Sequence, residues 1–247
     1  MRPDRIEILG VPVDGVTMDR ALQIVEEMVA DKGPHVIIAV NPEKVMNARR
    51  DSDLLGRLRR ASLLIPDGIG VVLAARLLRL GRMQRVPGSE LMPAICERAA
   101  QKGYRIFLFG ASPEVNQRVE DVLRERYPGL RIVGRQHGFV SESEMPTVVE
   151  RINSSLADVL FVALGSPKQE RWMDTYSRLL NTVKVCQGVG GTFDVLSGRT
   201  RRAPLVLRRL SLEWLYRMMT QPRRLVRQTA LPLFAFQVIR SVFWSKF

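Results

Sequence analysis

Alternation constrains this chain more than any other feature. Six short runs of branched and aromatic residues stand out: HVIIAVN (35–41), SLLIPDG (62–68), YRIFLFG (104–110), RIVGRQHG (131–138), DVLFVALG (158–165) and VKVCQGVGG (183–191). Between them lie PEKVMNARRDSDLLGRLRRA, IGVVLAARLLRL, SELMPAICERAAQKG, SPEVNQRVEDVLRERYPG, SESEMPTVVERINSS and SPKQERWMDTYSRLL, whose apolar residues recur every three to four positions. The short runs read as strands and the periodic stretches as helices. A strand that feeds a helix before the next strand crosses over and pairs in parallel, and helices then cover both faces of the sheet. The expected fold is α/β, a mainly parallel Rossmann-like sheet with helices on both faces.

Charge divides the chain. From Arg199 to Phe247 there are 11 Lys/Arg against one acid, Glu213, a net +10, while residues 1–198 carry 27 against 24, a net +3. We therefore expect a core over 1–198 and a basic helical C-terminal appendage over 199–247 with an anionic partner. The first residues, MRPDRIEILGVPVDG, lack the apolar stretch of a signal peptide. The charge-free run Gln228–Ile239 has 12 residues, about 18 Å as a helix against the ~30 Å of a hydrocarbon core. No membrane span is expected. The two cysteines, Cys96 and Cys186, read as reduced core thiols, and two histidines in all argue against a histidine metal site.

Two of the strand ends share one grammar. FGASPE (109–114) and LGSPKQ (164–169) each run from a strand through Gly110 or Gly165 to Ser, Pro and a helix. Ser166 is expected at the N-cap, Pro167 at N1 and Gln169 at N3, completing a capping box. Parallel strands bring both helix N-termini to one edge of the sheet, where their amides favour a phosphate-bearing ligand. IPDG (65–68) puts Asp67 on that edge, either as the cap of the next helix or as a general base that deprotonates a hydroxyl nucleophile. In VGGTFD (189–194), Gly190 permits close backbone approach and Asp194 can bond a ribose diol.

Other chemistries fit less well. GVGGTF (188–193) is placed on the last strand and Arg208 stands where a dinucleotide site needs an acid, so no nicotinamide cofactor is expected. DSD (51–53) interrupts a helical pattern and reads as a helix cap, so neither a metal nor another cofactor is expected. The basic stretch 201–228 also fits a non-catalytic protein that docks on a membrane or nucleic acid. The following LPLFAFQVIRSVFWSKF places Gln237, Arg240, Ser241 and Ser245 on one polar face. Such a helix lies in a membrane interface or packs against a core or a second subunit, which leaves a homo-oligomer open.

Taken together, the motifs VNPEKVMNAR, IPDGIGVV, RVPGSEL, GYRIFLFGASPEV, YPGLRIVGRQHGF, DVLFVALGSPKQERWM, GVGGTFDVLSG and RRAPLVLRRLSLEWLYRMMTQPRRLVRQ run over about residues 5–228. In this order they resemble the WecG/TagA/CpsF family of bacterial glycosyltransferases. The resemblance implies inverting, metal-independent transfer from a UDP-sugar to a polyprenyl-pyrophosphate-linked saccharide, for cell-surface polysaccharide, at the cytoplasmic face of the cell membrane. Its partners would be that donor, that acceptor and an anionic membrane surface, not nucleic acid. It implies Asp67 as catalytic base, with Asn41, Arg85 and Gln169 around the sugar and diphosphate. Gly138, Phe139 and Asp194 would contact the nucleotide, and Gly110, Gly165 and Gly190 would line the substrate. Arg217, Arg223 and Arg227 fall in the appendage that would close over the site and dock on the membrane. One departure is Ala39, where the family has Thr, so either an N-acetylmannosamine-type or a glucose-type donor is expected.

Overall fold

The structure, a computed structural model, describes residues 3–81, 83–201, 203, 204, 206, 207, 216 and 230–244. Strands β3 (His35–Val40), β4 (Leu63–Pro66), β5 (Arg105–Gly110), β6 (Arg131–Gln136), β7 (Val159–Ala163) and β8 (Val185–Gly188) form one sheet. Their order is β4-β3-β8-β7-β5-β6, and every pairing is parallel. The α/β expectation holds.

Side chains alternate across this sheet as the pleat requires. Ile106 and Leu108 of β5 and Val159 and Phe161 of β7 enter the core on one face, under α1 (Met18–Ala30), α5 (Gly88–Lys102) and α6 (Pro113–Arg126). Phe107, Phe109, Leu160 and Val162 enter the other, under α2 (Pro42–Ala48), α3 (Ser52–Arg60), α4 (Ile69–Leu77), α7 (Met145–Ser154) and α8 (Lys168–Tyr176). Each such side chain, fully withdrawn from water, stabilises the fold by about 1.5–3 kcal/mol. Cys96 and Cys186 are buried free thiols, one in each core, and burial pushes the Cys186 thiol up to about 12.

Several elements differ from or extend the expectation. An antiparallel hairpin, β1 (Arg5–Ile8) and β2 (Val11–Asp14), precedes the α/β alternation, as does α1. Its buried Asp14 accepts from Arg5 Nε at 2.7 Å and Nη2 at 2.9 Å and from the Leu64 amide at 2.7 Å, which ties the hairpin to β4. The single helix expected over 42–61 is two, because Asp51 caps α3 by accepting from the Leu54 amide at 2.9 Å. The DSD motif is thus a cap. Near the C-terminus lie α9 (Thr192–Leu196) and α10 (Ala230–Trp244), and α10 packs on α2 and α4 and buries Phe234 and Val238 in the core.

Candidate active site

A cleft of about 1200 Å³ opens at the carboxyl edge of the sheet, the edge where ligands of α/β proteins bind. Every strand of this six-stranded sheet contributes a residue from just beyond its end: Asn41, Asp67, Ala111, Gly138, Gly165 and Val189 all line it. Its volume lies just above the roughly 300–1,000 Å³ of typical small-molecule pockets.

β3 and β4 set the first wall. Val40 and Pro66 are in register, so Asn41 and Asp67 leave the sheet side by side, and the Asp67 amide donates to the Val40 carbonyl at 2.8 Å. Asn41 caps α2, its Oδ1 accepting from the Lys44 amide at 2.8 Å, so its Nδ2 end is the part a ligand can use. Asp67 does not cap α4. Gly68 holds that position, without a side-chain cap bond. The capping alternative for Asp67 is therefore set aside. Arg85 reaches the same wall from the loop before α5, which is pinned by the Val86 amide on the Pro66 carbonyl at 2.8 Å.

The opposite wall comes from β5, β6 and β7. Gly110 lies behind it, and Ala111 and Ser112 line the cleft in its place. A Cβ on Gly110 would stand 2.4 Å from the Ala163 carbonyl oxygen, and one on Gly138 would stand 3.1 Å from the Gly110 Cα. Only glycines let these loops approach so closely. Ser112 caps α6 as expected, and the Glu114 carboxyl is held below its ordinary value, first by its own backbone N–H and then by the Ser112 hydroxyl. Phe139 projects from the next loop, 73% exposed on the cleft wall. That loop ends in a capping box in which the Ser141 hydroxyl and amide keep the Glu144 carboxyl below its usual range.

At α8 the expected capping box does not form. The Gln169 amide that Ser166 would have to satisfy already donates to the Gly165 carbonyl at 2.8 Å, and the helix starts one residue later, with Pro167 at the N-cap. The Gln169 side chain is buried and turns elsewhere: Oε1 accepts from the Gly190 amide at 2.9 Å and Nε2 donates to Glu170 Oε1 at 3.3 Å. Gln169 thus lines the cleft and braces the loop after β8. Asp194, in α9, lines the same end.

Of the residues singled out in the sequence, Asn41, Asp67, Arg85, Gly138, Phe139, Gly165, Gln169, Gly190 and Asp194 meet in this cleft. Arg217, Arg223 and Arg227 lie outside the described residues. The cleft adds cations that motif reading passed over, Lys44, Lys168, Arg171 and Arg199, besides Arg85. Lys168 and Arg171 flank Gln169 in α8, so proximity to a motif residue was their available signal. Leu231 of α10 lines the cleft as well. Among the described residues no group of three or more His, Cys, Asp or Glu is arranged to hold a metal ion.

Comparison with known proteins gives a consistent picture. The sequence model of the glycosyl transferase WecG/TagA/CpsF family matches residues 6–247. An N-acetylglucosaminyldiphosphoundecaprenol N-acetyl-beta-D-mannosaminyltransferase of Staphylococcus aureus strain MRSA252 is 34% identical over 239 residues, 96% of this chain and 93% of that protein. The protein of the same name from strain NCTC 8325 / PS 47 is 33% identical with the same coverage.

Proposed function

From the premise that this chain belongs to the WecG/TagA/CpsF family of glycosyl transferases, we propose that it moves an N-acetylmannosamine-type sugar from a UDP-sugar to a saccharide carried on polyprenyl diphosphate. The observation that carries this reading is the pairing of Asp67 with Asn41 on one wall of a cleft whose other wall presents Gly138 and Phe139 and whose lining includes Asp194. Asp67 takes the proton of the acceptor hydroxyl as that oxygen bonds to the anomeric carbon of the donor. The bond from that carbon to the diphosphate breaks on the opposite side, and UDP leaves with the electron pair. One displacement inverts an α-linked donor to a β-linked product, which agrees with the β-linkage in the relatives' name.

The leaving diphosphate needs positive charge. Support for a reaction without a metal comes from the cations Arg85, Lys168, Arg171 and Arg199 on the cleft wall. The N-terminus of α8, which has no side-chain cap bond, adds its dipole. In this reading Phe139 and Asp194 hold the nucleotide, Asn41, Arg85 and Gln169 the sugar and diphosphate, and the glycines at 138, 165 and 190 give close backbone approach. Ala39 lines the cleft and presents no hydroxyl, so glucose donors belong in any donor test.

Thermal unfolding with ligands tests the donor class. At about 100 times Kd, UDP or its sugar conjugate should raise the midpoint by roughly 5–10 °C, and EDTA should leave the rise unchanged. A rise with NAD or NADP alone would overturn the reading.

The acceptor's lipid places the reaction at a membrane, and we read the enzyme as peripheral to its cytoplasmic face, through the segment 199–247. Among the described residues no helix is long and apolar enough to cross a membrane. Support comes from α10, which turns Phe236, Ile239 and Phe243 to solvent, and from α4, on which it packs, which exposes Leu73 and Leu77. Both helices border the cleft through Leu231, Ile69 and Gly70. Replacing Phe236 and Phe243 with Ser should lower partition into anionic vesicles by at least about tenfold, since each buried Phe contributes about 1.5–3 kcal/mol. Undiminished sedimentation with the vesicles would remove α10 from the docking surface.

A further inference from the structure

Lys44 and Glu170 are 126 residues apart in sequence, and the Lys44 Nζ lies 2.5 Å from Glu170 Oε1. They are only 6% and 1% exposed. A buried ion pair contributes little net stability, because removing both charges from water offsets most of their attraction, and well-packed apolar replacements are often as stable or more so. Its presence beside the cleft therefore asks for another reason.

The hydrogen bonds around it supply one. The Lys44 amide donates to Asn41 Oδ1, and the Lys44 ammonium to Glu170 Oε1. Gln169 Nε2 donates to that same oxygen at 3.3 Å, and Gln169 Oε1 accepts from the Gly190 amide at 2.9 Å. One continuous path thus joins the loops after β3, β7 and β8. Among the described residues, the second carboxylate oxygen, Glu170 Oε2, is buried without a hydrogen-bond partner. That oxygen brings no compensating bond, so the carboxylate is poorly explained as a stabilising device.

We infer that Lys44 and Glu170 are a positioning pair, which holds the Gln169 side chain against Gly190 and keeps it in register with Asn41 across the cleft. The pair acts on transfer through those two residues, so the inference rests on the glycosyl-transfer reading for its activity arm. It also has an arm that does not.

The test compares wild type, Glu170→Gln, Glu170→Met and the double variant Lys44→Met/Glu170→Met in the full chain. Glutamine keeps the shape and an acceptor for the Lys44 ammonium, whereas the double variant replaces both charges with apolar groups. The first readout is amide hydrogen exchange at Gly190. The double variant and Glu170→Met should exchange that amide at least about tenfold faster at unchanged exchange in the sheet core, and Glu170→Gln should stay close to wild type. The second readout is steady-state kinetics corrected for folded fraction. The double variant should lose at least about tenfold in kcat, and Glu170→Gln should keep most of its kcat. Wild-type protection of Gly190 in the double variant, or kcat that follows the folded fraction alone, would overturn the inference. A wild-type chain that neither binds UDP nor transfers a sugar would instead remove the proposed function, and the Gly190 exchange would still decide the positioning role.

Discussion

Asp67→Asn is expected to lower kcat by about 10²–10⁴-fold, the usual contribution of a positioned general base. Asparagine keeps the shape of the side chain and cannot take up the acceptor's proton. The replacement removes no helix cap, because Gly68 and not Asp67 starts α4, and it leaves the Asp67 amide bonded to the Val40 carbonyl. UDP affinity should therefore stay within about threefold, since a loss confined to kcat marks an interaction made in the transition state. Initial rates with a lipid-linked acceptor and calorimetric titration with UDP check both halves. A variant that turns over at the wild-type rate would exclude Asp67 as the base.

Gly110→Ala should be the most damaging small substitution at the site. Gly110 has φ +120°, and a Cβ there would stand 2.4 Å from the Ala163 carbonyl oxygen and 2.9 Å from its Cα, all rigid backbone of the adjacent strand. Backbone strain costs about 1–3 kcal/mol and forced overpacking about 1–3 kcal/mol more. Together these should lower the unfolding midpoint by at least about 5 °C in a chain of this size. UDP binding should weaken too, because the displaced β5 end carries Ala111 and Ser112 on the cleft wall. Gly10→Ala is the control. Gly10 has φ +81° with nothing within 4 Å of its Cβ position, so it should cost only the left-handed strain of about 1–2 kcal/mol. Equal midpoints for the two variants would show that the contact between β5 and β7 at Gly110 is looser than described.

The sheet was legible because most of its strands are buried on both faces and carry apolar residues without a break, as in LLIP, IFLF and VLFVA. The hairpin over residues 5–14 was hidden by its turn. Leu9 adopts φ +53° beside Gly10, where tight hairpins usually advertise Asn or Asp before Gly. The two Ser-Pro helix starts look alike in sequence and differ in space. Ser112 reaches the Val115 amide, whereas the Gly165 carbonyl reaches Gln169 before Ser166 can. No local pattern distinguishes those outcomes, because the second depends on where the chain turns after β7. Asp67 and Asn41 were readable as residues one step beyond strand ends. The bond between Lys44 and Glu170 was not, since it joins two elements far apart in sequence and Lys44 looks like any solvated lysine in the first turn of α2.

The most direct measurement is transfer itself. The purified chain is incubated in EDTA with UDP-N-acetylmannosamine or UDP-glucose and a short-chain polyprenyl-diphosphate N-acetylglucosamine in anionic lipid vesicles, and the acceptor is weighed by mass spectrometry. The expected result is an acceptor heavier by one N-acetylhexosamine, with equimolar UDP released and no gain in the Asp67→Asn variant. An acceptor whose mass is unchanged with both donors, although the chain is folded and bound to the vesicles, would contradict the proposed glycosyl transfer.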